Sequence, residues 1–262
     1  MPESEYLFDT GTRQGRRHVT GLDRILGHKT AEFLDAAGIA PGERCLELGA
    51  GSGAVAHWMA ERVGPDGTVV AIDLDTDHIA EHPRIEVHRH DVNDGLPVPG
   101  PFDVIHARLL LVHLRRREEI FRMLVDALAP GGRLVLGDAG RFPEPVSAPS
   151  EEDEEIFRKV WHTASGVVAP AAGQDAEWAH RAYGRMATAG LEELHAEEFT
   201  MTATGGDPHG DVLSALVRQA ETPLVAAGCA AGELTRLHEL LRDPLMRYWF
   251  FRIVYTRGRK PR

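Results

Sequence analysis

Three acidic residues and one glycine loop carry the chemistry legible in this chain. Glu47-Leu48-Gly49-Ala50-Gly51-Ser52-Gly53 follows a short apolar run and precedes a helical one. Glycines at such a junction let the backbone turn tightly and let a ligand come close to it. Taken alone, Gly49-x-Gly51-x-x-Ala54 also fits a dinucleotide loop. Glu47, two residues ahead of Gly49, speaks for a different ligand. A carboxylate sits badly beside a pyrophosphate and suits a cation, such as a sulfonium that also carries an ammonium group. Asp73 closes the next apolar run, where a carboxylate can accept from both hydroxyls of a ribose. Asp91-Val92 closes the third, where a carboxylate can accept from an adenine amino group; the other reading of Asp91 is a simple cap.

These residues work together only if the strands before them end side by side. Residues 44–50, 68–74, 85–90, 102–107 and 133–137 read as strands, and 54–63 and 118–128 as helices. Alternation of this kind gives βαβ units and a parallel sheet, with right-handed crossovers that put helices on both faces. Ligands of open α/β sheets lie at the carboxyl ends of the strands, where all three acids stand. Gly64-Pro65-Asp66-Gly67 and Gly131-Gly132 read as turns. Before the first strand come a polar arm, 1–20, with Tyr6, Leu7 and Phe8, and a helix, 21–38, ended by Gly38 and Pro41. After the fifth strand, 142–150 is rich in Pro and Ser and reads as a linker. The acidic run 151–155 opens a helix, where negative charge complements the dipole. Residues 176–189 are helical, 192–201 reads as a sixth strand, 211–241 as two helical stretches around Pro223 and Gly228, and 248–256 (YWFFRIVYT) as the last strand.

A chain of 262 residues suits one large α/β domain or one domain with an insertion. The net charge of -11 speaks against a general nucleic-acid binder, which needs a basic footprint. The two cysteines, Cys45 and Cys229, lie far apart without a CxxC pattern. They point to a reduced, cytoplasmic protein with no zinc site and no structural disulfide, Cys45 serving as packing. No apolar run reaches about 18 residues, so no membrane span is expected, and the polar start carries no signal-peptide core.

The succession CLELGAGSG, VVAIDLD, RHDV, FDVIHARLLLVHL and LAPGGRLVLGD, within residues 44–138, resembles the ordered motifs of class I S-adenosylmethionine (SAM)-dependent methyltransferases. The arm and helix before the first motif are similar to those of bacterial small-molecule methyltransferases. The resemblance implies an α/β fold: a Rossmann-like, mostly parallel seven-stranded sheet with helices on both faces, an N-terminal arm and helix, and helical cap insertions. It divides the chain into 1–40, an arm and helix over the cofactor site; 41–140, the SAM-binding core; and 141–262, the remaining strands with insertions at 142–174 and 211–243. SAM would be the methyl donor and S-adenosylhomocysteine the product. Carried over position by position, Glu47 would organise the loop and the donor's amino-acid end, and Gly49, Ala50, Gly51 and Gly53 would form the floor beneath it. Asp73 would hold the ribose and Leu74 flank the adenine; Asp91 would read the adenine amino group and Val92 donate a backbone hydrogen bond. Ala107 and Arg108 would face the methyl group and substrate, and Pro130-Gly131-Gly132 would be a structural turn.

The family does not fix the catalytic residues. Asp138, at the end of the fifth strand, ranks first as base or substrate contact. His113, just after the fourth strand, is a base or a packing residue; Arg108 meets substrate or pairs with a helix carboxylate; His106 alternates inward and reads as packing. The substrate pocket is expected between the core and 142–174 and 211–243, with Tyr6, Trp161, His162 and Tyr183 as lining candidates and the arm closing over SAM. Trp161 and Phe157 read equally as ordinary core.

The function expected is methyl transfer to an O, N or C nucleophile of a small molecule, in specialised metabolism, by a monomer or homodimer. In-line displacement from an activated sulfonium asks mainly for orientation, worth effective molarities of roughly 10⁵–10⁸ M. A general base adds about 10²–10⁴-fold and is required for a phenol or carbon acid but not for a carboxylate. The alternatives are a peptide or protein methyltransferase and a SAM-binding protein without transfer. Glu47 and the lack of a hydride-transfer dyad disfavour an NAD-dependent oxidoreductase. RNA methylation is disfavoured because the arginine-rich stretches 115–117 and 257–262 are short and read as solvated surface.

Overall fold

The computed structural model describes residues 13–262. The first elements are α1 (Arg13–Ala37), β1 (Arg44–Leu48), α2 (Ala54–Val63), β2 (Thr68–Asp73) and β3 (Ile85–Arg89). They are followed by β4 (Phe102–Arg108), α3 (Arg117–Asp126), β5 (Leu128–Arg141), β6 (Glu144–Ser147) and α4 (Glu151–Thr163). A π-helical turn (Ala164–Val168) leads into the short α5 (Ala169–Ala171), then α6 (Glu177–Thr188), β7 (Glu192–Phe199) and β8 (Thr202–Thr204). Helices α7 (Pro208–Gln219), α8 (Glu221–Ala226) and α9 (Ala231–Leu240) precede β9 (Arg247–Trp249) and β10 (Arg252–Arg259).

Seven strands form one sheet in the order β3-β2-β1-β4-β5-β10-β7. The neighbours β3/β2, β2/β1, β1/β4 and β4/β5 run parallel. The chain builds outward from β1 to β3, then returns to the other side of β1 with β4. That reversal makes the loop after β1 a topological switch point, where open sheets leave a crevice for a ligand. The expected α/β, seven-stranded architecture is thus present.

Contacts divide the chain into two units. One comprises Leu26–Asp138, Ala176–Glu198 and Val254–Arg262. Its central strands β1, β2 and β4 are buried on both faces, so they read as near-continuous apolar runs, whereas the edge strands β3 and β7 are largely exposed. Leu46, Leu48, Val70, Ile72, Ile105, Ala107, Leu134 and Leu136 turn towards one core that also holds Phe121 and Leu124 of α3 and Trp178, Ala182 and Met186 of α6. Alternation turns Cys45, Glu47, Val69, Ala71, Val104 and His106 the other way, and they too are buried, apart from solvent.

The other unit comprises the described residues up to Ile25, with Ala139–Asp175 and Phe199–Ile253. It holds a small antiparallel sheet, β6-β9-β8. Phe157 packs on Trp161 and Tyr248, and Trp161 meets Phe142 and Phe251 edge-on or tilted. Ser150 caps α4 by accepting from Asp153 N, which is the N-cap role its type favours. The buried Asp153 carboxylate accepts from Arg236 Nε at 2.7 Å and Nη2 at 3.0 Å, joining α4 to α9. This guanidinium holds the carboxyl below the usual range.

Several sequence expectations are corrected. Helix α1 starts at Arg13, so residues 13–20 belong to it and not to an arm. The stretch read as a linker contains β6, whose Pro145 is tolerated because β6 is an edge strand. Gly131-Gly132 is not a turn between elements: β5 runs unbroken from Leu128, with a bulge opposite Phe102–Val104. There a Cβ on Gly132 would lie 2.9 Å from Phe102 O, so the bulge needs glycine. Three helices, not two, fill 208–240, and Pro223 sits in the first turn of α8, where it forfeits no helical hydrogen bond. The run YWFFRIVYT is not one strand. It breaks at Phe250-Phe251, giving β9 to the small sheet and β10 to the large one. Among the described residues no helix is long and apolar enough to cross a membrane.

Candidate functional site

The last carbonyl of β2's apolar run starts the glycine loop. Ile72 O accepts from Gly49 N at 2.9 Å and Ala50 N at 3.1 Å. Gly49, Gly51 and Gly53 have φ of 65°, 55° and 80°, the left-handed region that only glycine enters freely. The space beside them is tight as well. A Cβ on Gly53 would lie 2.9 Å from Ile79 Cγ2, and one on Gly49 would lie 3.4 Å from Leu110 Cδ1.

Asp73, the last residue of β2, ties this loop to its own strand end. Oδ2 accepts from Gly51 N at 2.8 Å and Oδ1 from Asp75 N at 3.0 Å. Burial pushes its carboxyl above the ordinary value, against the pull of those N–H groups. Leu74 beside it is 49% exposed, an apolar side chain held out at the strand end. Asp91 caps the 3₁₀ turn Val92–Asp94, accepting from Asn93 N at 2.9 Å, and Val92 is buried. The cap reading of Asp91 is therefore present in the structure.

Glu47 is only 2% exposed, and its Oε2 lies 2.6 Å from His106 Nδ1. The two face each other directly in the β1/β4 register. His106 is buried, as its alternation suggests, but it is also Glu47's partner. Only the strand order and register could reveal that, and neither is written in the sequence.

The segment after β4 approaches the loop from the other side. Arg108 Nη1 donates to Thr30 Oγ1 of α1 at 2.9 Å, and that hydroxyl is 3.1 Å from Tyr255 Oη. Leu109 has φ of 53°, which is costly for a side chain of its size, and its N–H donates to Gly137 O at 2.7 Å. Leu110 then lies against Gly49, and Leu111–His113 form a 3₁₀ turn ending in His113. Ala107 is turned into the core, so only its backbone can meet a ligand.

Asp138 does not end its strand. β5 continues to Arg141, and the carboxyl is 2% exposed, accepting from Val112 N at 3.4 Å. Burial pushes it up to about 7, opposed by the backbone N–H groups of Val112 and Leu110, the Trp178 indole and the Arg117 guanidinium. Arg117 in turn donates to Leu111 O and Val112 O. Carboxylate and guanidinium thus grip the 110–112 backbone by its donors and its acceptors.

Three of the four substrate candidates lie among the described residues. Tyr6 lies outside the described residues. Trp161 is buried among Phe142, Phe157 and Phe251, whereas its neighbour His162 is exposed. Tyr183 is 45% exposed on α6, away from Trp178, Ala182 and Met186, which α6 buries. Trp161→Ala is expected to cost about 3–5 kcal/mol of stability, as for a large aromatic removed from a core. Chemical denaturation would show it. A loss under about 1 kcal/mol would return Trp161 to the role of a ligand contact.

Among the described residues no group of three or more His, Cys, Asp or Glu is placed to hold a metal ion. Residues 17–184 match the family model described as a methyltransferase domain. The chain belongs to this methyltransferase family. It is 30% identical over 180 residues to phosphoethanolamine N-methyltransferase 3 of Arabidopsis thaliana, covering 65% of this chain and 33% of that protein. It is 34% identical over 176 residues to 27-O-demethylrifamycin SV methyltransferase of Amycolatopsis mediterranei (strain S699), covering 62% and 60%. The solved structure of Haemonchus contortus phosphoethanolamine N-methyltransferase 2, with phosphomonomethylethanolamine and S-adenosylhomocysteine, shares the fold at a TM-score of 0.60. The identity there is 16%, covering 100% of this chain and 61% of that one. This methyltransferase chain spans less than half the length of several curated relatives it matches, 33%, 42% and 25% of them.

Proposed function

We propose that this chain is a SAM-dependent methyltransferase that moves a methyl group to an oxygen or nitrogen, or to carbon, of a small molecule of specialised metabolism. The observation that carries the reading is Asp73. One carboxylate, at the end of the strand next to β1, braces the glycine loop through Gly51 N while standing beside the exposed Leu74. A nucleoside needs that set: acceptors for ribose hydroxyls next to an apolar face for the base. Glu47 adds negative charge at the neighbouring strand end, which suits the donor's ammonium end. The glycine cradle, where side chains would collide with Ile79 or crowd Leu110, suits close approach of a ligand to backbone.

In this reading Gly49, Ala50, Gly51 and Gly53 form the floor, Asp73 takes the ribose, Leu74 flanks the adenine, and Asp91, Val92 and the Ala107 backbone complete the site. SAM supplies an activated methyl group on a sulfonium. The protein's share is to orient the donor, to exclude water and to hold an acceptor in line. His113, at the end of the 3₁₀ turn, is the base for an acceptor that must lose a proton. Arg108, held on α1 through Thr30, shapes the acceptor side. The burial of Asp138 gives it a different task from proton abstraction: it anchors the segment that carries His113.

The names of two relatives support a small-molecule acceptor: one is an N-methyltransferase of phosphoethanolamine, the other a methyltransferase of 27-O-demethylrifamycin SV. A cytoplasmic monomer or homodimer, without nucleic-acid or membrane partners, is proposed with it; the net charge of -11 and two free, buried thiols support this. The test is incubation with methyl-labelled SAM and an extract of the source cells, followed by size fractionation. Label on small molecules is the expected result. Label on macromolecules would replace this reading with a peptide or protein methyltransferase. Bound SAM without label transfer would replace it with a SAM-binding protein that does not methylate.

A further inference from the structure

From the start of α3 we infer a positioning residue for the base of the methyl donor: Arg116, by holding the carbonyl of Asn93, fixes the turn on which Asp91 and Val92 would meet the adenine. This rests on the reading that the carboxyl edge of the sheet holds SAM. The 3₁₀ turn Val92–Asp94 closes its first hydrogen bonds by itself: Asp91 O accepts from Asp94 N at 3.0 Å and Val92 O from Gly95 N at 3.1 Å. Asp91 Oδ1 is spent on Asn93 N at 2.9 Å, which leaves Oδ2 for an amino group. The next carbonyl, Asn93 O, is met from another element: Arg116 Nη1 donates to it at 2.9 Å. That guanidinium is aimed by Glu119, whose Oε2 accepts from Nε at 2.9 Å and from Nη2 at 2.6 Å.

Local preference gives no reason for an arginine here. Arg116 is the N-cap of α3, its own carbonyl accepting from Glu119 N and Ile120 N at 3.0 Å, and its side chain does not cap the helix. Ser, Thr, Asp and Asn are favoured at that place, and a cation there faces the positive end of the helix dipole. At the 3₁₀ turn the same cation stands at the carbonyl end, where the dipole favours it. Burial does not explain the residue either: the stretch 115–117 reads as solvated surface, and the Arg116 side chain is more than half exposed. Its neighbour Arg117 donates to Leu111 O at 3.1 Å and Val112 O at 3.4 Å. Consecutive side chains at one helix start thus hold the backbones of two turns, one after β3 and one after β4. The first would read the base, and the second carries His113. Both turns pack into one core through Val92 and Leu111. The Asp91 carboxylate therefore keeps a set position relative to the glycine loop, against which Leu110 lies.

The experiment is calorimetric titration of the full chain with S-adenosylhomocysteine and with S-inosylhomocysteine, whose base has a carbonyl in place of the amino group. The parent is expected to prefer the adenine form, because a carboxylate accepts from an amino group and repels a carbonyl oxygen. Arg116→Ser is expected to weaken S-adenosylhomocysteine about fivefold, the scale of one exposed hydrogen bond, and to leave S-inosylhomocysteine within about twofold. Its thermal midpoint is expected to stay at or above the parent's, since serine is the better cap. A merely structural arginine gives the opposite pattern, a lower midpoint and equal weakening of both ligands, and that result would overturn the inference. An unchanged preference for adenine would overturn it too. If Arg116→Ser does not fold, Glu119→Ala, which removes the carboxylate that aims the guanidinium, stands in for it and is expected to shrink the preference in the same sense. A parent protein that binds neither ligand would instead remove the SAM reading beneath the inference. One that binds both alike would remove the role of Asp91 on which it depends.

Discussion

Asp73→Ala is expected to bind SAM about a hundredfold more weakly than the parent chain, in a direct titration, while remaining folded. Two hydrogen bonds from ribose hydroxyls to one carboxylate are worth about 1.5 kcal/mol each or more, and roughly 3 kcal/mol is a factor of about a hundred in Kd. The same carboxylate holds Gly51 N at 2.8 Å and Asp75 N at 3.0 Å, so the loop loses its brace along with the ligand contact. Asp73→Asn repairs little. An amide can offer one oxygen, but its NH₂ would face an N–H that needs an acceptor. A loss of less than about threefold in the Ala variant would move nucleoside recognition away from the end of β2.

Asp138→Asn changes stability in a way that depends on pH. The folded protein raises this carboxyl from 3.8 to about 7 by burial, so the protonated form is the one the fold favours. A raised carboxyl contributes stability that is complete below the unfolded value, near 4, and is lost as pH rises through about 7. The interval between the two values corresponds to about 4 kcal/mol at pH 8. Asparagine does not ionise and escapes the loss, and its oxygen still accepts from Val112 N. The variant's thermal midpoint is therefore expected to exceed the parent's at pH 8 and to approach it by pH 5. A gap that stays constant between pH 5 and 8 would show that Asp138 carries no such burden. Methyl transfer sharpens the distinction: an anchor leaves kcat within a few-fold, whereas loss of a general base costs about 10²–10⁴-fold.

The parts of the fold legible in the sequence are those with a strong local signature. Buried parallel strands show as apolar runs, and β1 to β4 end within a residue or two of where periodicity places them. The acids at their ends stand out as carboxylates that close apolar runs, and Asp73 and Asp91 also have local structural tasks there, accepting from Gly51 N and Asn93 N. What the sequence hid were features set by partners. Gly131-Gly132 has turn composition, yet becomes a bulge because Phe102 O and the neighbouring strand press against it. YWFFRIVYT has the propensity for one long strand, and propensity cannot say that two sheets will share it. Pro145 and its neighbours look like a linker until β9 supplies the other side of a ladder. The pairing of Glu47 with His106, fifty-nine positions apart, follows from register alone. Asp138 reads as a strand end because the apolar run stops at Gly137, whereas β5 continues to Arg141.

The ion pair between Asp153 and Arg236 has a consequence for the history of this chain. It joins two segments that lie on opposite sides of the strand β7 in sequence, Ala139–Asp175 and Phe199–Ile253, with a buried acid at its centre. Exchange of the second segment alone for a relative's version would strand the buried Asp153 carboxylate without its partner, unless the newcomer brought its own counterpart. The two segments are thus inherited most readily as a set, like two halves of one key cut together.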